Sequence, residues 1–214
     1  MTAHEEFYTH LAQIELNGED LIKAYNDYKQ SNGEIAFELN GCLISEMKLD
    51  GSLAEFYANL CQIIRARNND TITLYRMTSD TQFVGPLAPA LLGQSFAYPA
   101  FLSTSGSKAN LHSFSPAKTP VLLEIACPSN TAMALMESDG GMEDEYLLGC
   151  HTKYKVEQAE IVNDPEVLTE CLPIGHGKDS LIRIRLIVVG NPAYTESLPP
   201  WQFDQDVPPE VEEI

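Results

Sequence analysis

Basic side chains are scarce in this sequence. Its 214 residues include 13 Lys and Arg against 31 Asp and Glu, which gives a net charge of −18. Proteins that bind nucleic acid use Lys and Arg to displace counterions from phosphates, so this balance argues against a nucleic-acid partner. It also argues against an anionic membrane surface. The charge is compatible with a basic protein partner, and equally with acidity that serves only solubility.

Long apolar segments and closely spaced cysteines are missing as well. No apolar run approaches the roughly 20 residues of a membrane-spanning helix, and the N-terminus shows no secretory signal pattern. The five cysteines are odd in number and widely spread, which favours reduced, buried thiols over a disulfide framework. We therefore expect a cytoplasmic protein, or one delivered into a target cell by a specialised system that needs no cleavable signal peptide.

The motifs of several enzyme classes are also absent. Without a Gly-x-Gly-x-x-Gly motif, NAD binding of the Rossmann type is not expected, and no Gly-x-Ser-x-Gly motif marks a hydrolase. Residues 175–178 superficially resemble a phosphate loop, but Asp179 stands where Ser or Thr is required. The histidines show no metal-ligand spacing with the cysteines, so we expect no metal site.

The apolar pattern predicts helices first and strands afterwards. Helical spacing is present over residues 7–14 and 21–28, while residues 34–50 fit either a helix or an irregular link. Ser52 and Glu55 match a capping box that would start a further helix, and a short helix is predicted after Ser107. Strands are predicted at 71–77, 98–105, 121–127, 132–136, 146–149, 153–162 and 181–189. This order predicts an α+β fold with a largely antiparallel, two-sheet core.

The chain is predicted to form one domain over residues 1–189, with a helical part at 1–68 and a β-rich core at 70–189. Residues 190–214 contain five prolines and six acidic residues but no Lys or Arg. Such a composition cannot build a core of its own. We expect an acidic tail that is either mobile or laid over the domain with Trp201 as its anchor.

Three short motifs carry the functional signal. Arg76 lies in the first predicted strand, residues 103–105 read Ser-Thr-Ser in a second, and Glu143 and Glu145 flank Asp144 just before an apolar run. If this last segment is extended, both glutamates face the same side. Taken singly, each motif also has an ordinary structural explanation: an ion pair for the arginine, solvent-facing strand residues for the hydroxyls, and a solvated acidic loop for the glutamates.

Taken together, the order, spacing and strand context of these motifs resemble the Arg-Ser-Glu class of mono-ADP-ribosyltransferases. This is the cholera-toxin-like group of bacterial toxins and secreted effectors. The resemblance covers residues 50–190 and implies a mono-ADP-ribosyltransferase core that uses NAD as co-substrate, without a metal. It further implies a target protein that bears an acceptor arginine, and a chaperone or immunity protein as an additional partner.

The resemblance implies a role for each upstream residue. Arg76 would contact the phosphates of NAD, because a guanidinium suits a fork of phosphate oxygens. Ser103 would lie beside the nicotinamide ribose and orient Glu145, while Thr104 and Ser105 would shape the strand within the NAD site. An aromatic side chain near the motifs, such as Phe101 or Phe114, would stack on the nicotinamide.

The two glutamates would divide the remaining chemistry. Glu145 would accept a hydrogen bond from the ribose 2′-hydroxyl and stabilise the positive charge that develops on the sugar. Glu143 would engage the incoming guanidinium, since relatives with Gln at this position modify other side chains. Three alternatives stay open from the sequence: an NAD glycohydrolase on the same fold, a non-catalytic acidic interaction protein, and ADP-ribosylation of nucleic acid, which the net charge disfavours.

Overall fold

A computed structural model describes residues 3–29, 34–64, 67–68, 70–79, 91–113, 119–136 and 144–192. The α-helices are α1 (Ala3–Ala12), α2 (Gly18–Lys29), α3 (Glu34–Ile44), α4 (Gly51–Ile63) and α5 (Pro165–Cys171), and Lys108–Ser113 form a 3-10 helix. The strands are β1 (Ile72–Thr78), β2 (Ser95–Ala97), β3 (Leu102–Ser105), β4 (Val121–Cys127), β5 (Met133–Met136), β6 (Glu145–Leu148), β7 (Lys153–Val162) and β8 (Leu181–Gly190).

The strands hydrogen-bond in the order β2-β7-β8-β4-β1-β3-β6-β5. Neighbouring strands are antiparallel except for β4 and β8, which are parallel. The predicted α+β class with a mainly antiparallel core is confirmed. The division into two sheets differs in detail, because the pairing of Tyr75 in β1 with Ser105 in β3 joins all the strands into one sheet. This narrow junction connects a three-strand segment, β3-β6-β5, to the other five strands.

The N-terminal helices cover the three-strand segment. Leu21 of α2 and Leu60 of α4 are fully buried in one cluster with Leu147 of β6 and Met136 of β5. Burying side chains of this size contributes about 1.5–3 kcal/mol each. The helical part therefore packs directly onto the strands that carry the Ser-Thr-Ser and Glu145 motifs.

The five longer strands enclose a second core. Leu74 of β1, Ile125 of β4, Tyr154 of β7 and Ile184 of β8 belong to this cluster. A smaller cluster lies beneath α5, whose N-terminus is capped by the Asp164 side chain accepting from the Glu166 amide at 2.9 Å. A well-packed scaffold therefore supports β1 from the side opposite the junction.

Several local elements differ from the sequence-based expectations. The ambiguous segment 34–50 contains α3. The predicted capping box is wrong: α4 begins at Gly51 behind Asp50, which makes no side-chain capping bond, so Ser52 falls within the first turn. Strand β2 and helix α5 were not anticipated, although Asp164 followed by Pro165 is a recognisable helix start.

The cysteines behave as expected. Four of them (Cys61, Cys127, Cys150 and Cys171) are buried and Cys42 is half-buried, and none is in a disulfide. Burial raises the pKa of the Cys127 thiol to about 12, which keeps it protonated and unreactive. Among the helices that the structure describes, none is long and apolar enough to cross a bilayer.

Gly106 follows β3 at a point where the chain passes very close to the start of β6. A Cβ added there would lie 2.1 Å from Oδ2 of Asp144, whereas a Cβ at Gly41 on α3 would meet nothing within 4 Å. We expect Gly106→Ala to lower the free energy of unfolding by about 1 kcal/mol, because the Asp144 carboxylate must turn away and the Tyr146 ring, whose Cε2 would lie 3.1 Å from the new Cβ, must shift. Gly41→Ala, the matched control, should raise it by about 0.5–1 kcal/mol because Ala favours a helix interior. Urea unfolding measures both, and a Gly106→Ala protein as stable as the wild type would contradict this packing.

Candidate active site

Strands β3 and β6 place Ser103 and Glu145 on one face of the sheet. Ser105 pairs directly with Glu145, and Ser103 pairs with Leu147 two residues further along β6. Residues that pair directly share a face, as do residues two apart on a strand. Leu147 is buried beneath the helices, so this face is the one that the helical part covers. The two side chains are thus brought to one side of the sheet, beside the helices.

Arg76 reaches this region from β1. Its side chain is half-buried, and Nη1 donates to the carbonyl oxygen of Ser103 at 2.7 Å. Within the described part of the chain, no carboxylate pairs with Arg76. The structural ion pair is therefore not found there. A guanidinium has five N–H donors, and a half-buried one with a single neutral acceptor is suited to binding an anion.

The end of α2 reaches over the Ser103 strand. The Tyr28 hydroxyl interacts with the Ser103 side chain and accepts from Asn40 Nδ2 at 3.3 Å. Asn40 in turn accepts from the Phe101 amide at 3.1 Å. Burial raises the pKa of Tyr28, while the contacts with Ser103 and Asn40 and the charge of Arg76 act in the opposite direction. Tyr28 therefore stays neutral and links the helices to the start of β3.

Lys29, the last residue of α2, forms a salt bridge with Glu145 through Nζ and Oε2. The lysine side chain is 9% exposed and that of Glu145 is 17% exposed. Among the described residues, Lys29 is the one partner of this carboxylate. The side chain of Ser103 interacts with Tyr28 instead, so the orientation of Glu145 by Ser103 stays a prediction.

The other two hydroxyls of β3 are engaged in the strand and its following turn. Thr104 Oγ1 donates to the Tyr146 carbonyl at 2.7 Å, which ties β3 to β6. Ser105 Oγ donates to the Ser107 carbonyl at 3.0 Å and accepts from Asn110 Nδ2 at 3.1 Å. Both residues are buried. These hydrogen bonds fit the expectation that Thr104 and Ser105 shape the strand. Direct contact of either residue with NAD stays a prediction.

The second glutamate, Glu143, and one of the two aromatic candidates, Phe114, lie outside the described residues. The other aromatic candidate, Phe101, is 2% exposed and packs edge-on against Tyr28 and Tyr57, with centroid distances of 6.2 and 6.0 Å. Phe101 therefore presents no open face to a ligand. The described residues also contain no group of three or more His, Cys, Asp or Glu side chains that could hold a metal ion.

The segment that leads into β6 has an unusual backbone. Asp144 has φ 44°, in the left-handed region, and its carbonyl accepts from the Gly106 amide at 2.8 Å. Burial and then the Asp144 carboxylate raise the pKa of Tyr146 to about 12. The turn after β3 thus fixes the residue directly before Glu145, so both strands determine where the carboxylate lies.

Three residues near the site were not found from the sequence. Tyr28 has helical spacing and therefore looks like an ordinary core position, Lys29 looks like a favourable charge at a helix C-terminus, and Asn40 lies in the ambiguous segment. Each acts across long sequence separations; Lys29 and Glu145, for example, are 116 residues apart. No local sequence motif shows that Lys29 at the end of a helix pairs with Glu145 at the start of a strand.

Comparison of the sequence with family models and with curated proteins found no match. Comparison of the structure with solved structures did. Plx2a, an ADP-ribosyltransferase toxin from Paenibacillus larvae, matches with a TM-score of 0.64 and 17% identity over 87% of this chain and 93% of that chain. An ADP-ribosyltransferase from Clostridium botulinum matches with a TM-score of 0.61 and 13% identity over 86% of this chain and 92% of that chain.

A third similar structure is the ADP-ribosylating toxin BECa of a binary enterotoxin of C. perfringens, solved with NADH. It matches with a TM-score of 0.64 and 18% identity over 87% of this chain, which spans 46% of that chain. Identities this low establish a shared fold and nothing finer. The chain has the fold of the ADP-ribosyltransferase toxins, the fold that its Arg, Ser-Thr-Ser and Glu motifs predict.

Proposed function

We propose that this protein transfers ADP-ribose from NAD to an arginine of a target protein and releases nicotinamide. The observation that carries the proposal is the adjacency of β1, β3 and β6: Arg76 Nη1 of β1 donates to the Ser103 carbonyl at 2.7 Å, and Ser105 of β3 pairs with Glu145 of β6. The fold adds support, since one similar structure was solved with NADH and another, Exoenzyme S from Pseudomonas aeruginosa, with Carba-NAD.

Arg76 is the proposed contact for the diphosphate of NAD. Its guanidinium is half-buried and, in the described part of the chain, unpaired with any carboxylate. A half-buried charge without a counter-ion is costly, and a bound diphosphate would supply that counter-ion through charge-assisted hydrogen bonds. The bond to the Ser103 carbonyl uses one N–H group and holds the guanidinium beside β3.

Glu145 is the proposed catalytic carboxylate. When the bond between ribose C1′ and the nicotinamide nitrogen breaks, the electron pair leaves with neutral nicotinamide and the sugar becomes positively charged. A fixed carboxylate in a largely buried site stabilises that charge more than one in water. Glu145 meets this description, with 17% of its side chain exposed at the first position of β6.

The proposal also covers the residue that binds the acceptor arginine and the kind of target protein. We assign the acceptor guanidinium to Glu143, whose carboxylate would position an incoming arginine for attack on C1′. The net charge of −18 complements a basic target surface around that arginine. Because the similar structures include toxins, we propose that the protein acts inside a target cell. Exoenzyme S was solved in complex with human 14-3-3 protein beta, so a partner protein of this kind is an additional candidate.

We expect Glu145→Gln to reduce NAD cleavage and transfer by about a hundredfold or more, because the neutral amide cannot stabilise the developing positive charge. Nicotinamide release and labelling of lysate proteins from radiolabelled NAD measure the two activities. Glu157→Gln, at an exposed position on β7, is the matched control and should behave as the wild type. Calorimetric titration should show that Glu145→Gln still binds NAD. A wild-type protein that binds no NAD would instead identify a non-catalytic interaction protein.

Glu143→Gln should separate transfer from hydrolysis. We expect labelling of arginine to be lost while release of nicotinamide to water continues, since Glu145 remains. Mass spectrometry of peptides modified by the wild type identifies the acceptor side chain. If neither the wild type nor any variant labels protein while NAD is still consumed, the protein is an NAD glycohydrolase rather than a transferase.

A further inference from the structure

We propose that Lys29 is a positioning residue for Glu145: its ammonium holds Oε2 of the carboxylate and leaves Oε1 for the ribose hydroxyl of NAD. The inference rests on the proposed function, in which Glu145 is the catalytic carboxylate. It adds a residue from the helical part of the chain to a site whose motifs all lie on strands.

The contact itself is the first support. Lys29 Nζ and Glu145 Oε2 form a salt bridge in which both side chains are largely withdrawn from solvent. A carboxylate in such surroundings requires a partner, since removing one member of a buried pair leaves an uncompensated charge. Within the described residues Lys29 supplies that partner. The pair is therefore part of the site, in contrast to exposed surface ion pairs, which contribute little.

The engagement of Ser103 elsewhere is the second support. The Ser103 side chain lies near the Tyr28 hydroxyl, which accepts from Asn40, and the Ser103 carbonyl accepts from Arg76. Among the described residues, neither group forms a hydrogen bond with Glu145. Because a catalytic carboxylate must be held in a defined rotamer to act, the group that holds it here is Lys29 rather than a hydroxyl of β3.

The position of Lys29 is itself fixed by its neighbour along α2. Tyr28 packs against Phe56 of α4 and Phe101 at ring-centroid distances of 6.4 and 6.2 Å, and its hydroxyl accepts from Asn40 of α3. An anchored aromatic residue directly before Lys29 sets the point from which the lysine side chain extends. The ammonium is thus directed at β6 by the packing of the helices and needs no loop to place it.

The other groups around Glu145 do not replace the lysine. Across the strands it faces Ser105 and Met136, neither of which titrates in the ordinary range. Along its own chain it adjoins Asp144 and Tyr146, and His4 of α1 packs against the Tyr146 ring at a centroid distance of 6.0 Å. Among the described residues, Lys29 is the cation that the carboxylate contacts.

Nicotinamide release from NAD by the purified full chain tests the proposal without requiring a known target. We expect Lys29→Met to lower kcat by about ten- to a hundredfold while KM for NAD stays within about twofold. A catalytic carboxylate that is displaced from its working position lowers the rate by this amount without weakening substrate binding. Lys29→Arg should restore most of kcat, since it keeps the charge. Lys23→Met is the matched control: Lys23 lies on the same helix, is 74% exposed, pairs with Asp27, and should leave kcat unchanged.

A second measurement, the pKa of Glu145, distinguishes a positioning role from a merely structural one, because a merely structural role of Lys29 would leave this pKa unchanged. With glutamate labelled at the side-chain carboxyl carbon, NMR titration follows Glu145, assigned by the loss of its signal in Glu145→Gln. We expect its pKa to rise by about one pH unit or more in Lys29→Met, because the opposing charge is gone, and to return in Lys29→Arg. The acidic limb of the kcat profile should move with it.

These readouts separate failure of the inference from failure of the proposed function. A Lys29→Met protein whose kcat is unchanged or raised, or whose Glu145 titrates as in the wild type, would overturn the role of Lys29 while Glu145→Gln still reported on catalysis. If the wild type failed to cleave NAD, that result would contradict both the proposed function and the role of Lys29 in catalysis. The titration would then show only whether the ion pair exists.

Discussion

The hydrogen bond from Arg76 to the Ser103 carbonyl is the interaction on which the rest of the site depends. Strands β1 and β3 pair at Tyr75 and Ser105 alone, so the two parts of the sheet meet across a narrow junction. The 2.7 Å bond from a guanidinium adds a charge-assisted link at this junction. The side chain proposed to bind the diphosphate therefore also links the two parts of the sheet.

The helices contribute to the site as much as the strands do. Two consecutive residues at the end of α2 face different strands: Tyr28 lies beside Ser103 of β3, and Lys29 pairs with Glu145 of β6. Asn40 of α3 hydrogen-bonds both the Tyr28 hydroxyl and the Phe101 amide. Such contacts require the apolar face of the helical part to be seated on the three-strand segment. Packing in the helical core therefore affects where the Glu145 carboxylate is held, because Lys29 extends from that core.

Sequence reasoning succeeded where local pattern controls structure. Strands 121–127 and 153–162 were placed at the residues where they occur, because their apolar patterns are long and bounded by polar or turn residues. Short elements such as β2, with three residues, lack a pattern of that length. The pairing of β4 with β8 and the contact of Lys29 with Glu145 arise from packing between distant segments, for which the local sequence contains no spacing rule. Motif residues were thus predictable, whereas their partners were not.

The separation of 116 residues between Lys29 and Glu145 has a consequence for how the proposed site is assembled. Contacts between distant segments require a large loop to close, and the entropy lost in closing it must be offset by the packing of the segments that meet. The salt bridge requires the helical core to be packed on the three-strand segment, whereas the bond from Arg76 to the Ser103 carbonyl joins residues only 27 positions apart. Assembly of the proposed site therefore depends on the packing of the whole chain as well as on the strands that carry the motifs.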